Sequence, residues 1–333
     1  VIGKFYPFHL GHDRLIAVAK EQVDEVVVLC CAHARQAIPG EVRARWIRES
    51  HPDVTVLEVE DDLPEAPAPW AARTVEVLGR QPDLVFTSED YGNEYAELMG
   101  ARHISVDPGW RDFPISGTQL RGDLGAHWPM LAPGAKAGLA RRVCVIGAES
   151  TGTTTLAQDL ARPFATCWVP EFGRSYWEGR RYLKAADSWS EDEFVRIALG
   201  QQRQEDDLAR RANKVLICDT DAIATHMWHR HYRGTYSDRV LELARLRTYV
   251  LYLVTCPDFP FVQDGTRDGD PYRHRMHEWL LEILEAEGRP FEVMTGGPTE
   301  RLQRAVELVD PLTRFDPLED LSSDEGPGEE GER

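Results

Sequence analysis

Short apolar, β-branched runs recur along this chain at intervals wide enough for amphipathic helices, the alternation that builds a parallel sheet with helices packed on it. In the first half the strand-like runs are 25–31, 54–59, 84–87 and 103–106. Apolar residues spaced at roughly 3.6 positions predict helices over 11–22, 41–49, 70–78 and 94–99. The segment Trp128-Pro-Met-Leu-Ala-Pro-Gly-Ala breaks this rhythm, and a new strand opens at 142–146. The second half follows the same logic, with strands at 143–146, 214–218, 249–254 and 291–294 and a long helix over 191–212. No internal repeat relates the halves, so two different α/β domains are expected, 1–128 and 142–315, joined by a linker at 129–141.

The length of 333 residues agrees with two domains. With 42% hydrophobic and 28% charged residues, the chain has the balance of an ordinary soluble globular protein. The longest apolar runs, 26–32 and 249–256, are far shorter than the roughly 18 residues a membrane span needs. The amino end shows no secretory signal, which predicts a cytoplasmic address. The chain starts Val1-Ile2-Gly3 without Met, so the first strand is expected to be shortened. Net charge is −18, which opposes binding to nucleic acid or to an anionic membrane. Of this, −7 lies in 316–333, where Gly, Ser and Pro accompany eight acidic residues and predict a disordered tail. Cys30, Cys31, Cys144, Cys218 and Cys256 sit in or beside apolar runs with no C-x-x-C spacing, and read as buried thiols.

The first candidate site is Gly3-Lys4-Phe5-Tyr6-Pro7-Phe8-His9-Leu10-Gly11-His12, where a strand turns into a helix. Two histidines three residues apart share one face of a first helical turn, beside unpaired N–H groups that attract phosphate. Gly11 lets backbone approach a ligand. Taken alone, H-x-G-H could equally be a pair of surface or core histidines. The whole string, however, matches G-x-F-x-P-x-H-x-G-H, and Ile115-Ser116-Gly117-Thr118-Gln119-Leu120-Arg121 resembles I-S-x-T-x-x-R. Together the two blocks resemble the nucleotidyltransferase superfamily, and within it the nicotinamide mononucleotide (NMN) adenylyltransferases.

That resemblance implies a Rossmann-like domain in which His9 and His12 hold the phosphates of ATP. Ser116 and Thr118 would cap a helix against them, Arg121 would clamp the β/γ end, and Gly3, Phe5 and Gly11 would line the nucleotide. It further implies Arg43 as a substrate-phosphate arginine and Trp70 as a stacking partner for nicotinamide, although Trp70 could also be ordinary packing. Lys4 reads either as a phosphate contact or as a surface lysine.

The second candidate site follows the strand at 142–146: Gly147-Ala148-Glu149-Ser150-Thr151-Gly152-Thr153-Thr154-Thr155. Its skeleton is that of a P-loop, G-x-x-x-x-G-K-[ST], whose backbone amides cradle phosphate and whose last hydroxyl, here Thr154, binds Mg²⁺. Position 153 is Thr where the motif has Lys. The lost cation on the β/γ-phosphates predicts a rate cost of at least ~10²–10³, by analogy with loss of one transition-state donor. Asp219 ends an apolar strand, where P-loop kinases place a carboxylate for Mg²⁺ or the substrate hydroxyl. Glu171 in Pro-Glu-Phe-Gly-Arg is a candidate to orient the nucleoside or act as base. The run 263–269 reads as a lid supplying Arg267. For Glu171 and Arg267, surface salt bridges are the alternative.

The order of these blocks resembles the bifunctional NadR family, which joins an NMN adenylyltransferase to a ribosylnicotinamide kinase. The resemblance implies ATP as co-substrate, Mg²⁺, and NMN and ribosylnicotinamide as small-molecule partners. Homo-oligomerisation is compatible with the sequence but not determined by it. No helix-turn-helix segment precedes Val1, so a repressor role is not expected. Two rivals stand beside the bifunctional reading: an adenylyltransferase with an inert P-loop domain, and a nucleotide-sensing regulator. Thr153→Lys should raise riboside-dependent ADP release; an unchanged rate would contradict the weakened-kinase reading.

Overall fold

The computed structural model describes residues 1–107, 114–183, 188–258 and 270–319, with backbone only at 270 and 271. The chain divides into two compact units, one formed by Val1–Ala135 with the chain from Phe315 onward, the other by Lys136–Arg314. Among the described residues, no helix is long and apolar enough to cross a membrane.

In the first unit, strands β1 (Ile2–Gly3), β2 (Val27–Ala32) and β3 (Thr55–Glu60) form a parallel sheet in the order β1-β2-β3. Strands β4 (Leu84–Thr87) and β5 (Arg102–Ser105) form a separate parallel pair. Residues 28–31 of β2 are all buried, as a strand covered on both faces requires. Helix Gly40–Ser50 buries Arg43, Ala44, Trp46 and Ile47, an i, i+1, i+3, i+4 stripe.

In the second unit, β6 (Arg141–Gly147), β7 (Trp168–Val169), β8 (Val215–Asp219), β9 (Leu251–Thr255) and β10 (Phe291–Met294) make one parallel sheet, ordered β10-β9-β6-β8-β7. β6 is central, so the loop leaving its carboxyl end opens where the strand order switches direction, the place where open α/β sheets bind ligands. Val143, Val145, Val215, Ile217 and Leu253 build the core with Leu156 and Leu160 of helix Thr153–Ala161. Each such fully buried side chain stabilises by roughly 1.5–3 kcal/mol.

The α/β class and the parallel pairing agree with the sequence pattern, although the strands of the first unit fall into two parallel sheets, β1-β2-β3 and β4-β5, rather than one. The helix expected over 191–212 ends at Ala209, and its start is fixed by a capping box between Ser190 and Glu193. Cys256 is half-buried rather than buried, and the sixth cysteine, Cys167, is also half-buried. Burial pushes the Cys30 thiol up to about 11, which keeps it protonated and unreactive.

The expected free tail from Asp316 needs correction at its start. Phe315 stacks on Trp128 with ring centroids 5.3 Å apart, the Leu318 N–H donates to the Arg121 carbonyl at 2.9 Å, and the Tyr6 hydroxyl donates to the Glu319 carbonyl at 3.1 Å. Aromatic stacking and backbone pairing thus attach 315–319 to the first unit; residues 320–333 lie outside the described residues.

Candidate functional site

His9 is the N-cap of helix Leu10–Lys20, and its Nδ1 accepts the Gly11 N–H at 3.1 Å. That bond requires an unprotonated Nδ1, so the ring proton sits on Nε2. His9 Nε2 is buried, has no hydrogen-bond partner, and belongs to a ring lining a cavity of about 870 Å³. An N–H donor held this way is poised for an anionic oxygen. The His12 ring stacks on that of His9 at 3.6 Å and is packed edge-on by Phe5 at 4.9 Å. Burial, followed by the Arg121 charge, lowers the His9 pKa to about 4; burial, His9 and Arg121 hold His12 well below the ordinary value. Both imidazoles are therefore neutral near pH 7.

Ser116 caps the short helix Gly117–Gly122 and forms a capping box with Gln119. Arg121 donates from Nη1 to the Tyr6 carbonyl at 3.0 Å and from Nη2 to the Thr118 hydroxyl at 3.0 Å, with its guanidinium 5.7 Å from the Tyr6 ring centre. Gly3, Phe5, His9, Gly11, His12, Ser116, Thr118 and Arg121 all line the one cavity. The two sequence blocks, about a hundred residues apart, are brought together as expected. Lys4 lines the same cavity and lies 3.6 Å from Asp61 and 3.8 Å from Glu65.

Arg43 and Trp70 are placed otherwise. Arg43 is fully buried and not among the cavity-lining residues; it donates to the Lys4 and Cys31 carbonyls and to Gln36 Oε1 (2.7 Å), beneath the Tyr6 ring. It braces the turn that carries His9 instead of facing a ligand. Trp70, on helix Pro67–Leu78, packs against the cluster of Ala71, Val85, Tyr95, Ala96 and Met99. Tyr6 and Tyr91, which sequence reasoning passed over, line the cavity instead.

In the second unit, residues 147–150 and 152–155 line a cavity of about 430 Å³. A side chain at Gly147 would collide with the hydroxyls of Thr255 and Thr151. Gly152 has φ +85°, a left-handed conformation glycine adopts without strain, and leads into helix Thr153–Ala161. Thr151 donates to the Ala148 carbonyl at 2.6 Å, and Arg301, buried and unforeseen from the sequence, donates to the Thr151 carbonyl at 2.7 Å. The loop is thus fixed from both sides. Thr154 Oγ1 donates to Asp219 Oδ2 at 2.6 Å, and the Thr153 hydroxyl also faces that carboxylate.

Burial raises Asp219 to about 6; burial and then the Asp219 charge raise Glu171 to about 7. Both line the cavity. Asp221 does not: it caps helix Ala222–Arg233 through the Ile223 and Ala224 N–H groups and accepts the Tyr252 hydroxyl. An aromatic wall completes the pocket. Trp228 and Tyr232, one helical turn apart, stack at 5.7 Å, and Trp189 stacks on Tyr232 at 5.4 Å. Arg174 and Trp177 line it from helix Phe172–Arg180. Arg267 lies outside the described residues. Among the described residues no group of three or more His, Cys, Asp or Glu could hold a metal, leaving the Thr154–Asp219 pair as the candidate.

A cytidylyltransferase-like family model matches residues 1–122, and an AAA domain model matches 142–301. The trifunctional NAD biosynthesis/regulator protein NadR of Escherichia coli is 29% identical over 93% of this chain and 82% of its own length. The chain is thus similar to NadR over most of its length. NadR of Salmonella typhimurium is 28% identical with the same coverage. A NadR crystal structure in complex with NR superimposes with TM-score 0.70 at 24% identity over 97% of both chains. One in complex with NAD and AMP-PNP gives TM-score 0.66 at 24% identity over 94% of both. The fold of this chain is thus that of the NadR structures.

Two predictions follow from the geometry. A His whose folded pKa is depressed contributes stability above its unfolded value, and loses it as pH falls from about 6.5 toward 4. His9→Asn keeps a capping oxygen, so its melting temperature should fall less steeply than the native one over that pH window in a thermal scan. Arg43→Met should destabilise the first unit by about 2–3 kcal/mol in denaturant titrations, while the KM for a nucleotide substrate of the folded protein stays within threefold of native.

Proposed function

We propose that the first unit transfers adenylyl from ATP to NMN, giving NAD and pyrophosphate, and that the second phosphorylates ribosylnicotinamide to NMN with ATP. The observation that carries the first assignment is the His9 Nε2–H, fixed by its own helix cap, without a partner, beside His12 and Arg121 in one cavity. The neutral His9 N–H and the Arg121 guanidinium give fixed donors to the charge that develops on the leaving pyrophosphate, with His12, whose ring N–H donates to the Pro7 carbonyl, stacked against His9. The phosphate oxygen of NMN attacks the α-phosphorus, the bond to the bridging oxygen breaks, and the electron pair leaves with pyrophosphate. His9, His12 and Arg121 are the catalytic residues of this step. Ser116 and Thr118 hold the helix that presents Arg121.

For the second unit, the P-loop amides hold ATP, and the aromatic wall of Trp228, Tyr232 and Trp189 accepts the cationic pyridinium of ribosylnicotinamide. Glu171 accepts the proton of the 5′-hydroxyl as its oxygen attacks the γ-phosphorus, and ADP leaves with the electron pair. Thr154 and Asp219 offer the hydroxyl and carboxylate oxygens that suit Mg²⁺, and so fit that ion. When bound, Mg²⁺ supplies charge neutralisation on the phosphates. Thr153 favours a second reading, an inert P-loop domain beside an active adenylyltransferase.

With Mg-ATP and NMN the chain should form NAD, measured enzymatically or by chromatography. His12→Ala and Arg121→Ala should each lower kcat by at least ~10²-fold, and chelation of Mg²⁺ should stop the reaction. No NAD from the native chain would leave the regulator reading. With the riboside in place of NMN, absence of ADP would select the inert-domain reading.

A further inference from the structure

The P-loop cavity has Thr153 where the motif has an ammonium, yet a cation reaches it from another element. Arg174 is the only Lys or Arg among the described residues that line it. It sits in the first turn of helix Phe172–Arg180, three residues after Glu171. Its charge favours the ionised forms of both Glu171 and Asp219, two of the four carboxylate residues that line the same cavity with Glu149 and Glu178. Half of its side chain is exposed, and Nε lies 3.6 Å from Glu178 on the same helix, an ion pair weak enough to exchange for a phosphate. Thr153 cannot serve: its hydroxyl faces Asp219 and carries no charge. A cavity lined by four carboxylates cannot hold polyphosphate well without a counter-charge, and a guanidinium binds two phosphate oxygens at once.

We propose that Arg174 is a catalytic residue of this chain that binds the β/γ-phosphates of ATP in place of the absent P-loop lysine. The proposal rests on the kinase reading of the second unit. As the bond from the riboside 5′-oxygen to the γ-phosphorus forms, the bridge to the β-phosphate breaks. The electron pair goes to ADP, the hydroxyl proton to Glu171, and Arg174 neutralises the charge gathering on the bridging and γ oxygens. The cost expected from Thr153 alone is thereby reduced: Thr153→Lys should raise turnover less than about tenfold in the native chain, though a missing donor costs ~10²–10³.

The test is a double-mutant cycle on the full chain, read as riboside-dependent ADP release, with NAD formation from NMN as the control for an intact fold. Arg174→Met should lower phosphorylation by at least ~10²-fold and leave NAD formation unchanged. Thr153→Lys added to Arg174→Met should recover at least about tenfold, because one cation then replaces the other. Independently of turnover, AMP-PNP should protect the amides of 147–155 from hydrogen exchange in the native chain, lose that effect in Arg174→Met and regain it in the double variant. Arg174→Met within about threefold of native, no recovery in the double variant, or unaltered protection would each overturn the proposal. A silent native chain that Thr153→Lys activates overturns it while the kinase reading stands. If both are silent, the kinase reading falls and Arg174 falls with it.

Discussion

Negative charge has to be held without being quenched by water, and this chain meets that constraint twice with the beginning of a helix. In the first unit the cap residue is itself the donor: His9 accepts a backbone N–H with one ring nitrogen and so must carry its proton on the other, toward the cavity. Burial keeps the pair neutral, which fixes the tautomer and avoids placing two positive rings in contact. Arg121 then supplies a full positive charge, oriented by the Tyr6 carbonyl and the Thr118 hydroxyl, while the charge of Lys4 in the first block is met by Asp61 and Glu65.

The second unit solves the same problem with a different division of labour. Its loop is held from below by Thr255 and from the side by Arg301, so the amides are fixed before any ligand arrives. The charge that the loop lacks at Thr153 stands on a neighbouring helix, where its reach depends on a flexible side chain rather than on the loop's own geometry. A P-loop can therefore be complete as a cradle and incomplete as a catalyst, and the two properties are carried by different atoms.

The alternation of apolar runs located every strand but the two-residue β1 and β7, because buried parallel strands leave a continuous apolar signature, as at β2, β6 and β8. The cavity-lining residues of both motifs were also legible, since Gly, His, Ser and Thr at helix starts act through local backbone. Arg43 lies away from the cavity because a motif position does not say which way a long side chain points, and Trp70 takes the packing alternative that its sequence had left open. Both lie on helices whose inner face is core. Arg301 and the Trp189–Tyr232–Trp228 stack were invisible for the complementary reason, that their meaning comes from tertiary neighbours far away in sequence, and Arg174 was seen only as the end of the Pro-Glu-Phe-Gly-Arg block without a role. Spacing offered one hint, Trp228 and Tyr232 one helical turn apart.

The return of residues 315–319 to the first unit makes the second unit an insertion in the chain topology, entered after Ala135 and left at Arg314. Cutting after Arg314 would leave the units covalently joined, whereas cutting after Ala135 would leave the second unit attached only through the non-covalent contacts of 315–319. It also means that a reporter or affinity label fused behind Glu319 is anchored next to the carbonyl of Arg121 and the hydroxyl of Tyr6, so its disturbance would be felt in nucleotide adenylylation and not in the P-loop unit that ends just before it.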